Sequence, residues 1–297
     1  MSTVAFIGLG AMGAPMAGHL LDAGHALRVH ARRAEAMAPL AARGAVACAS
    51  PAEAARGAEF IFTNVTASAD VEHVLLGAGG AIETASAGSV VIDHSTIAPA
   101  ATRHIAQRLA ERGIEMLDCP VSGGVRGAQA ATLSIMVGGK PDVFERIKPL
   151  FACMGKTITR VGDIGAGQVT KACNQLALLV ATQGVAESLH LAARLGADPG
   201  KVREVLMGGV AASRVMDLFG KRMVERNFEN GIDTRLYHKD LGIILGLAHE
   251  AGLATPGGAL VMQQINALMG QGRGRDDLGA LITVLEMMSG TTPKLEK

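Results

Sequence analysis

The sequence predicts an α/β protein in two parts: a parallel, doubly wound sheet over residues 1–164, followed by an all-helical domain over residues 165–297. Three observations carry this. Short β-branched runs alternate with helical patterns through the first half. After Gly167 the strand pattern stops. The composition, 49% apolar but only 3% aromatic with 38 glycines and 14 methionines, suits an alanine- and glycine-rich α/β or helical chain better than a β-sandwich. A chain of 297 residues has room for two domains with real cores.

Taken in order, strands are expected at 3–7 (TVAFI), 26–30 (ALRVH), 59–63 (EFIFT), 89–93 (SVVID), 114–118 (IEMLD), 132–137 (TLSIMV) and 157–161 (TITRV). Helical patterns fill the gaps at 11–23, 33–42, 51–56, 68–76, 98–112 and 141–154. The second half reads as helices over 168–195, 199–208, 214–225, 234–251, 257–271 and 277–289. Asp198 suits an N-cap with Pro199 at the first helical position, and Gly252 falls just past the end of another helix. The boundary falls near 163–167 (DIGAG), which makes the 168–195 helix a bridge. Its positions 176–181 are apolar all round, so burial on every side is expected there.

The bulk numbers exclude several classes of function. A net charge of +1, without basic residues interleaved with aromatics, speaks against nucleic acid and against an anionic membrane surface. Cys48, Cys119, Cys153 and Cys173 are scattered and form no CxxC, so reduced, mostly buried thiols are expected. No cysteine or histidine spacing suits a metal. The N-terminus opens on a strand-like run rather than a signal peptide, and no apolar run approaches the ~20 residues of a bilayer span. A soluble, cytoplasmic protein is the expectation.

FIGLGAMG (6–13) is a strand leading through G-x-G-x-x-G into a helix. Gly8 permits the tight turn, Gly10 lets a pyrophosphate approach the backbone, and Gly13 lets helix and strand pack closely. Leu9, Ala11 and Met12 complete the turn, and the helix start presents its N–H groups to phosphate. A nicotinamide dinucleotide is therefore expected. At the end of the second strand the run Val29-His30-Ala31-Arg32-Arg33 lacks the carboxylate that would hold an NAD ribose. Arg32 and Arg33 suit a 2′-phosphate instead, which favours NADP(H) and leaves NAD(H) possible. Solvated charges opening the next helix are the plainer reading of the same two residues.

DCPVSGGVRGA (118–128) follows a strand at its carboxyl end, where ligands of open α/β sheets collect. Ser122, Gly123 and Gly124 offer a hydroxyl and consecutive unobstructed N–H groups, suited to a carboxylate; an ordinary turn would read the same. GAGQVTKACNQLALLV (165–180) then puts a lysine, Lys171, inside an apolar helix with Asn174 and Gln175 on its face. A hydride enzyme needs a group that gives a proton to the carbonyl oxygen and takes it back. Burial lowers a lysine from its ordinary value of about 10.4 toward working pH. The alternative is a lysine snorkelling at a helix start.

With these motifs in order, the chain resembles the β-hydroxyacid dehydrogenase family over nearly its whole length. GLGAMGAPMAGHL (8–20) is similar to the family's cofactor signature and DHSTIAP (93–99) to its second cofactor loop. DCPVSGGVRGAQAATLSIMVGG (118–139) resembles its substrate loop and GAGQVTKACNQ (165–175) its catalytic-lysine segment. KDLGIILGLAHEAGLATP (239–256) resembles the C-terminal helix. The resemblance implies that Lys171 is the general acid/base and that Ser122, Gly123 and Gly124 hold a substrate carboxylate. It also implies that Thr96 and Lys239 contact the cofactor, with Asn64 and Val65 near the nicotinamide ribose, and that the protein is a homodimer or homotetramer. Ala130-Ala131-Thr132 lacks the glycine usual before that threonine, which is harmless unless the backbone there needs a positive φ.

The activity implied is reversible NAD(P)H-dependent reduction of a small 3-oxo acid, tartronate semialdehyde foremost, with Asn174 or Gln175 orienting the carboxylate-bearing substrate. 3-Hydroxyisobutyrate or another short 3-hydroxy acid is the nearest rival, since one methyl or hydroxyl is worth only about 1–3 kcal/mol in a pocket. 6-Phosphogluconate is a weaker one, and a non-catalytic nucleotide-binding regulator a distant one.

Overall fold

Along the first strand, β1 (Thr3–Ile7), Val4 and Phe6 belong to one core cluster and Ala5 and Ile7 to another, and all four are buried. That alternation, with apolar residues in both directions, marks a strand covered on both faces. The computed structural model describes residues 1–229 and 231–290. Within them the chain divides into two compact units, Met1–Lys171 and a second that starts at Ala172.

The first unit is built on a single sheet. Its strands are β1, β2 (Ala26–His30), β3 (Val46–Ala47), β4 (Phe60–Thr63), β5 (Val90–Asp93), β6 (Glu115–Asp118), β7 (Val121–Ser122), β8 (Leu133–Gly138) and β9 (Gly155–Gly162). Their order is β3-β2-β1-β4-β5-β6-β8-β7, with β9 beside β8. From β3 to β6 every pairing is parallel. β8 runs antiparallel to β6 and β7, so the sheet is parallel-dominated rather than parallel throughout. The 119–132 connection carries only one short helix and folds back on itself after β7, so that β8 returns between β6 and β7 in the opposite sense.

Helices cover both faces. On one, α1 (Gly13–Asp22) buries Met16, Ala17 and Leu20 against Phe6, Val29 and Phe62. On the other lie α3 (Pro51–Ala55), α4 (Ser68–Leu76) and α5 (Pro99–Ala110), packing Ala54, Leu75 and Ile105 against Ile7, Ile61 and Val91. α2 (Ala38–Ala41) is a remnant of the helix expected over 33–42, which breaks into a 3-10 turn at Ala34–Ala36 and this single turn. α6 (Gly124–Gln129) was not legible in the sequence, whereas α7 (Pro141–Ala152) was.

α8 (Ala166–Arg194) carries the chain into the second unit, which adds α9 (Pro199–Met207), α10 (Lys221–Glu225), α11 (Thr234–Glu250), α12 (Pro256–Gly270) and α13 (Leu281–Met288). The Asp198 carboxylate accepts from Gly200 N and Lys201 N, and Gly252 closes α11 with φ +64°. The helix expected over 214–225 opens as a π-turn at Met216–Gly220. The core gathers Leu179, Val185, Leu189, Leu241, Ile265 and Leu281, fastened by the Arg222–Asp277 ion pair and a two-bonded Arg226–Glu286 pair.

Burial around α8 differs from the sequence expectation. Leu179, Ala186 and Leu189 face the core, but Ala177 and Ala181 are exposed, as are Val180 (39%) and Leu191 (60%). The helix packs by one face and leaves an apolar row outside. By length and composition alone α8 is also apolar enough to cross a membrane, which corrects the statement that no run approaches that length; one such helix with a core-facing side is weak evidence for a span.

Ala131 adopts φ +53°, the left-handed region that an L-residue enters at a cost of about 1–2 kcal/mol. The backbone here does call for the missing glycine. Ala131→Gly is expected to raise stability by about 0.5–1 kcal/mol, the strain relieved less the extra freedom glycine gains on unfolding. A denaturation midpoint that stays put or falls would show that contacts of the Ala131 methyl group offset the strain.

Candidate active site

The turn after β1 gives each of its three glycines a different physical reason. Gly8 has φ +101° and donates its N–H to His30 O (2.9 Å), and a Cβ there would overlap Asn64 O. A Cβ at Gly13 would overlap Gly8 O, so α1 can start where it does only without a side chain. At Gly10 a Cβ would meet nothing within 4 Å. That glycine is not required by the fold, and its bare backbone is open to a ligand. The cradle fits a dinucleotide pyrophosphate. Leu9 is buried in the core, so only its backbone is available to a ligand, whereas Ala11 is exposed and Met12 half-buried. Arg32 and Arg33 are exposed past the end of β2, and Arg33 Nε lies 3.9 Å from Glu35 Oε1.

Asn64 and Val65 leave β4 next to this turn. Asn64 N donates to Ile7 O (2.9 Å) and Val65 N to Ser95 Oγ (2.9 Å), which draws the 93–99 loop, with half-buried Thr96, alongside. Beneath that loop sits a buried polar layer. Asp93 accepts from Thr63 Oγ1 (2.8 Å) and Ser95 N (3.0 Å), and burial raises its carboxyl to about 6. The His94 ring lies between Phe62 and Phe151, with Nδ1 2.6 Å from Cys119 O. A carbonyl can only accept, so Nδ1 carries the proton. Burial pulls the imidazole down to about 4. Asp118, also raised to about 6 by burial, completes the layer.

These groups act in opposite directions on stability. His94 stays neutral in the fold, so the stability it contributes is complete above about pH 6.5 and is lost as pH falls through 4. The two aspartates hold protons longer in the fold than in the open chain, so the stability they contribute is complete below about 3.8 and is lost as pH rises through 6. His94→Phe should remove the first contribution alone. As pH falls from 7 to 4 the parent should lose about 3 kcal/mol of unfolding free energy through this group, a loss absent from the variant. Parallel curves in denaturant titrations would show that His94 is not held neutral.

Beyond β6 the chain passes Val121 and half-buried Ser122 into Gly123 (φ +138°) and Gly124 (φ +61°). The expected open loop is here the entry to α6, with Gly123 as its N-cap. A Cβ on Gly123 would also press on Leu133 Cδ2 at 3.1 Å. Lys171 is 8% exposed, and its Nζ donates to Val121 O at 2.8 Å. The ammonium is thus held one residue from Ser122, on the segment that carries the candidate anion-binding groups.

In the second unit Asn174 Nδ2 donates to Gln175 Oε1 (2.9 Å), and Gln175 Nε2 donates to Asp240 Oδ2 (2.6 Å). Lys239 Nζ lies 3.0 Å from Asp240 Oδ1. The structure therefore gathers the first-unit candidates at the carboxyl ends of the strands, and Asn174, Gln175 and Lys239 around Asp240. Asp240, Asp118 and Gln168 were missed from sequence. Asp240 sits inside the KDL motif, Asp118 opens DCPVSGG and Gln168 precedes Lys171 by one turn, so position within the motifs was the available signal. Of the thiols, Cys48 and Cys119 are buried, Cys153 is half-buried and Cys173 exposed, fewer in the interior than expected.

The model of the NAD binding domain of 6-phosphogluconate dehydrogenase matches residues 3–162, and that described as NAD-binding of NADP-dependent 3-hydroxyisobutyrate dehydrogenase matches 165–285. The 2-hydroxy-3-oxopropionate reductase of Escherichia coli is 41% identical over 288 residues, covering 96% of this chain and 97% of that protein. The chain belongs to the β-hydroxyacid dehydrogenase family. A solved structure of Mycobacterium tuberculosis 3-hydroxyisobutyrate dehydrogenase with L-serine superposes with TM-score 0.87 at 31% identity, over 96% of this chain and 99% of that one. Psf3 in complex with NADP+ and 2-OPP gives TM-score 0.86 at 28% identity, over 95% and 100%. As a β-hydroxyacid dehydrogenase family member, the protein is an NAD(P)-dependent oxidoreductase, and the turn around open Gly10 lies within residues 3–162, the span that the NAD-binding model matches.

Proposed function

We propose that the protein reduces tartronate semialdehyde to D-glycerate, reversibly, with NADPH. The observation that carries this reading is the Lys171 Nζ–Val121 O hydrogen bond of 2.8 Å, which holds Nζ on the residue before Ser122, at the start of the segment that carries Gly123 and Gly124. When bound, the reduced nicotinamide supplies a hydride to the aldehyde carbon. Lys171 gives a proton to the aldehyde oxygen as that carbon is reduced, and recovers it in the oxidative direction. Ser122 Oγ–H and the N–H groups of Gly123 and Gly124 hold the carboxylate, which fixes the carbonyl relative to Lys171. Asn174 or Gln175, one turn further along α8, orients the substrate hydroxyl. Asn64, Val65, Thr96 and Lys239 hold the cofactor, and Arg32 and Arg33 take its 2′-phosphate. Support for NADPH comes from that arginine pair, the description of the second family model and the NADP+ complex of a relative. Support for tartronate semialdehyde comes from the 41%-identical reductase. A homodimer or homotetramer belongs to the same reading, and the outward apolar row of α8 at Ala177, Val180 and Leu191 is surface of the kind subunits bury.

The test is nicotinamide oxidation with tartronate semialdehyde and with methylmalonate semialdehyde, each with NADPH and NADH. Turnover of the first substrate, stronger with NADPH, is expected. Turnover of the methyl-bearing aldehyde alone would overturn the substrate in favour of 3-hydroxyisobutyrate. Preference for NADH would overturn the role of Arg32 and Arg33.

A further inference from the structure

Where Lys171 Nζ sits against Val121 O follows from the height and rotation at which α8 starts. The packing around that turn is unusually close. A Cβ on Gly167 would lie 2.5 Å from Asp118 O and 2.6 Å from Met136 O, and a Cβ on Gly138 would overlap Asp118 Oδ1. Glycine at 138 and 167 thus brings the helix start directly onto the backbone of β6 and β8. The Asp118 carboxylate, buried there, accepts from Gly165 N (2.7 Å) through Oδ1 and from Gln168 N (2.8 Å) through Oδ2. A negative charge in this position also meets the positive end of a 29-residue helix.

Gln168 makes a second tie. It is 2% exposed, and both ends of its carboxamide are engaged: Ile97 N donates to Oε1 (3.1 Å) and Nε2 donates to Ser95 O (2.8 Å). Ser95 Oγ in turn accepts from Val65 N, so the tie runs back to the end of β4. Gln168 and Lys171 are three residues apart and share a helix face.

We propose that Asp118 and Gln168 are positioning residues for Lys171. Asp118 fixes the helix start against the strand that leads into the substrate segment, and Gln168 fixes it against the 93–99 loop. This rests on the reading of Lys171 as the proton donor. Neither side chain acts on substrate. Each acts by keeping Nζ where the reacting oxygen arrives, and a misplacement of about 1 Å is enough to reduce turnover roughly 10²-fold.

A double-mutant cycle tests it. Gln168→Met and, in parallel, Asp118→Asn are each made in the wild-type and in the Lys171→Ala background, with single-turnover NADPH oxidation and NADPH Kd measured for all. In the wild-type background each is expected to lower the rate about 10–100-fold while the NADPH Kd stays within about threefold. In the Lys171→Ala background the same substitutions should change the residual rate by less than about twofold, because their effect runs through an ammonium that is gone. Equal losses in both backgrounds would overturn the proposal, as would an unchanged rate in the wild-type background. Near-normal turnover of Lys171→Ala alone would instead overturn the proton-donor reading on which the proposal rests, and it shows in the single variant.

Discussion

Lys171→Ala should fold, bind NADPH with near-parental affinity and lose about 10²–10⁴-fold in kcat, the usual contribution of a positioned proton donor. The fold should survive because a hydrogen bond at the tip of the side chain, from Nζ to Val121 O, is lost without disturbing the helix backbone, and alanine favours the helical interior. The removed donor leaves Val121 O to find water in the space vacated, a cost of about 1–3 kcal/mol at most. Lys171→Arg is the sharper control. It keeps a positive charge, yet a guanidinium does not release its proton in the accessible pH range, and its planar head does not reproduce the ammonium's geometry. A loss approaching that of the alanine variant is therefore expected. Steady-state and single-turnover rates with the reduced cofactor decide the matter, and a Lys171→Ala enzyme within about tenfold of the parent would sink the assignment.

The second large effect is a contrast inside one motif. Gly13→Ala should destabilise the protein by about 3 kcal/mol or more, because the new methyl overlaps Gly8 O and neither the strand end nor the helix start has room to withdraw. Gly10→Ala should change stability by less than about 1 kcal/mol, since nothing lies within 4 Å of the added carbon and the residue is not in the left-handed region. Its effect should fall on the cofactor, with NADPH affinity down by about tenfold or more as the methyl occupies the pyrophosphate's approach. Thermal unfolding with and without NADPH separates the two: the first variant shifts the unliganded midpoint, the second only the stabilisation added by ligand. If Gly10→Ala bound NADPH normally, the phosphate path would have to lie elsewhere along the turn.

How much of this could be read from the sequence depended on how local the cause was. β1, β4 and β5 announce themselves as apolar runs with β-branched residues because each is buried on both faces. β2 shows itself by alternation, with Leu27 and Val29 buried between more exposed neighbours, and β6 by its apolar Met116-Leu117. β3 and β7, two residues each, are defined by their partners rather than by any pattern of their own. α6 was hidden because GVRGAQ has poor helix propensity and starts from two left-handed glycines. Lys171 stood out as a charge in an apolar helix, and Ser122 to Gly124 as an opened backbone at a strand end. Gln168, Asp118 and Asp240 did not, since what gives them meaning is a bond to a residue far along the chain. Gln168 reaches Ile97 and Ser95 across 71 and 73 positions, and Gln175 reaches Asp240 across 65. No periodicity encodes such pairings.

The segment that carries α6 enters through Gly123 and Gly124 and leaves through Ala131, all at positive φ, and no side chain caps its N-terminus. Dihedral angles clasp it at both ends, in place of a capping side chain. The dihedral part of that clasp has nothing to screen and nothing to titrate; His19 Nε2 at Ala128 O (2.9 Å) and Lys171 Nζ at Val121 O (2.8 Å) are side-chain ties added to it. Salt that loosens an exposed pair such as Arg33 and Glu35 leaves those dihedral angles unchanged. The glycine N–H groups proposed to grip the substrate are thereby oriented in large part by steric geometry, which ionic strength does not reach.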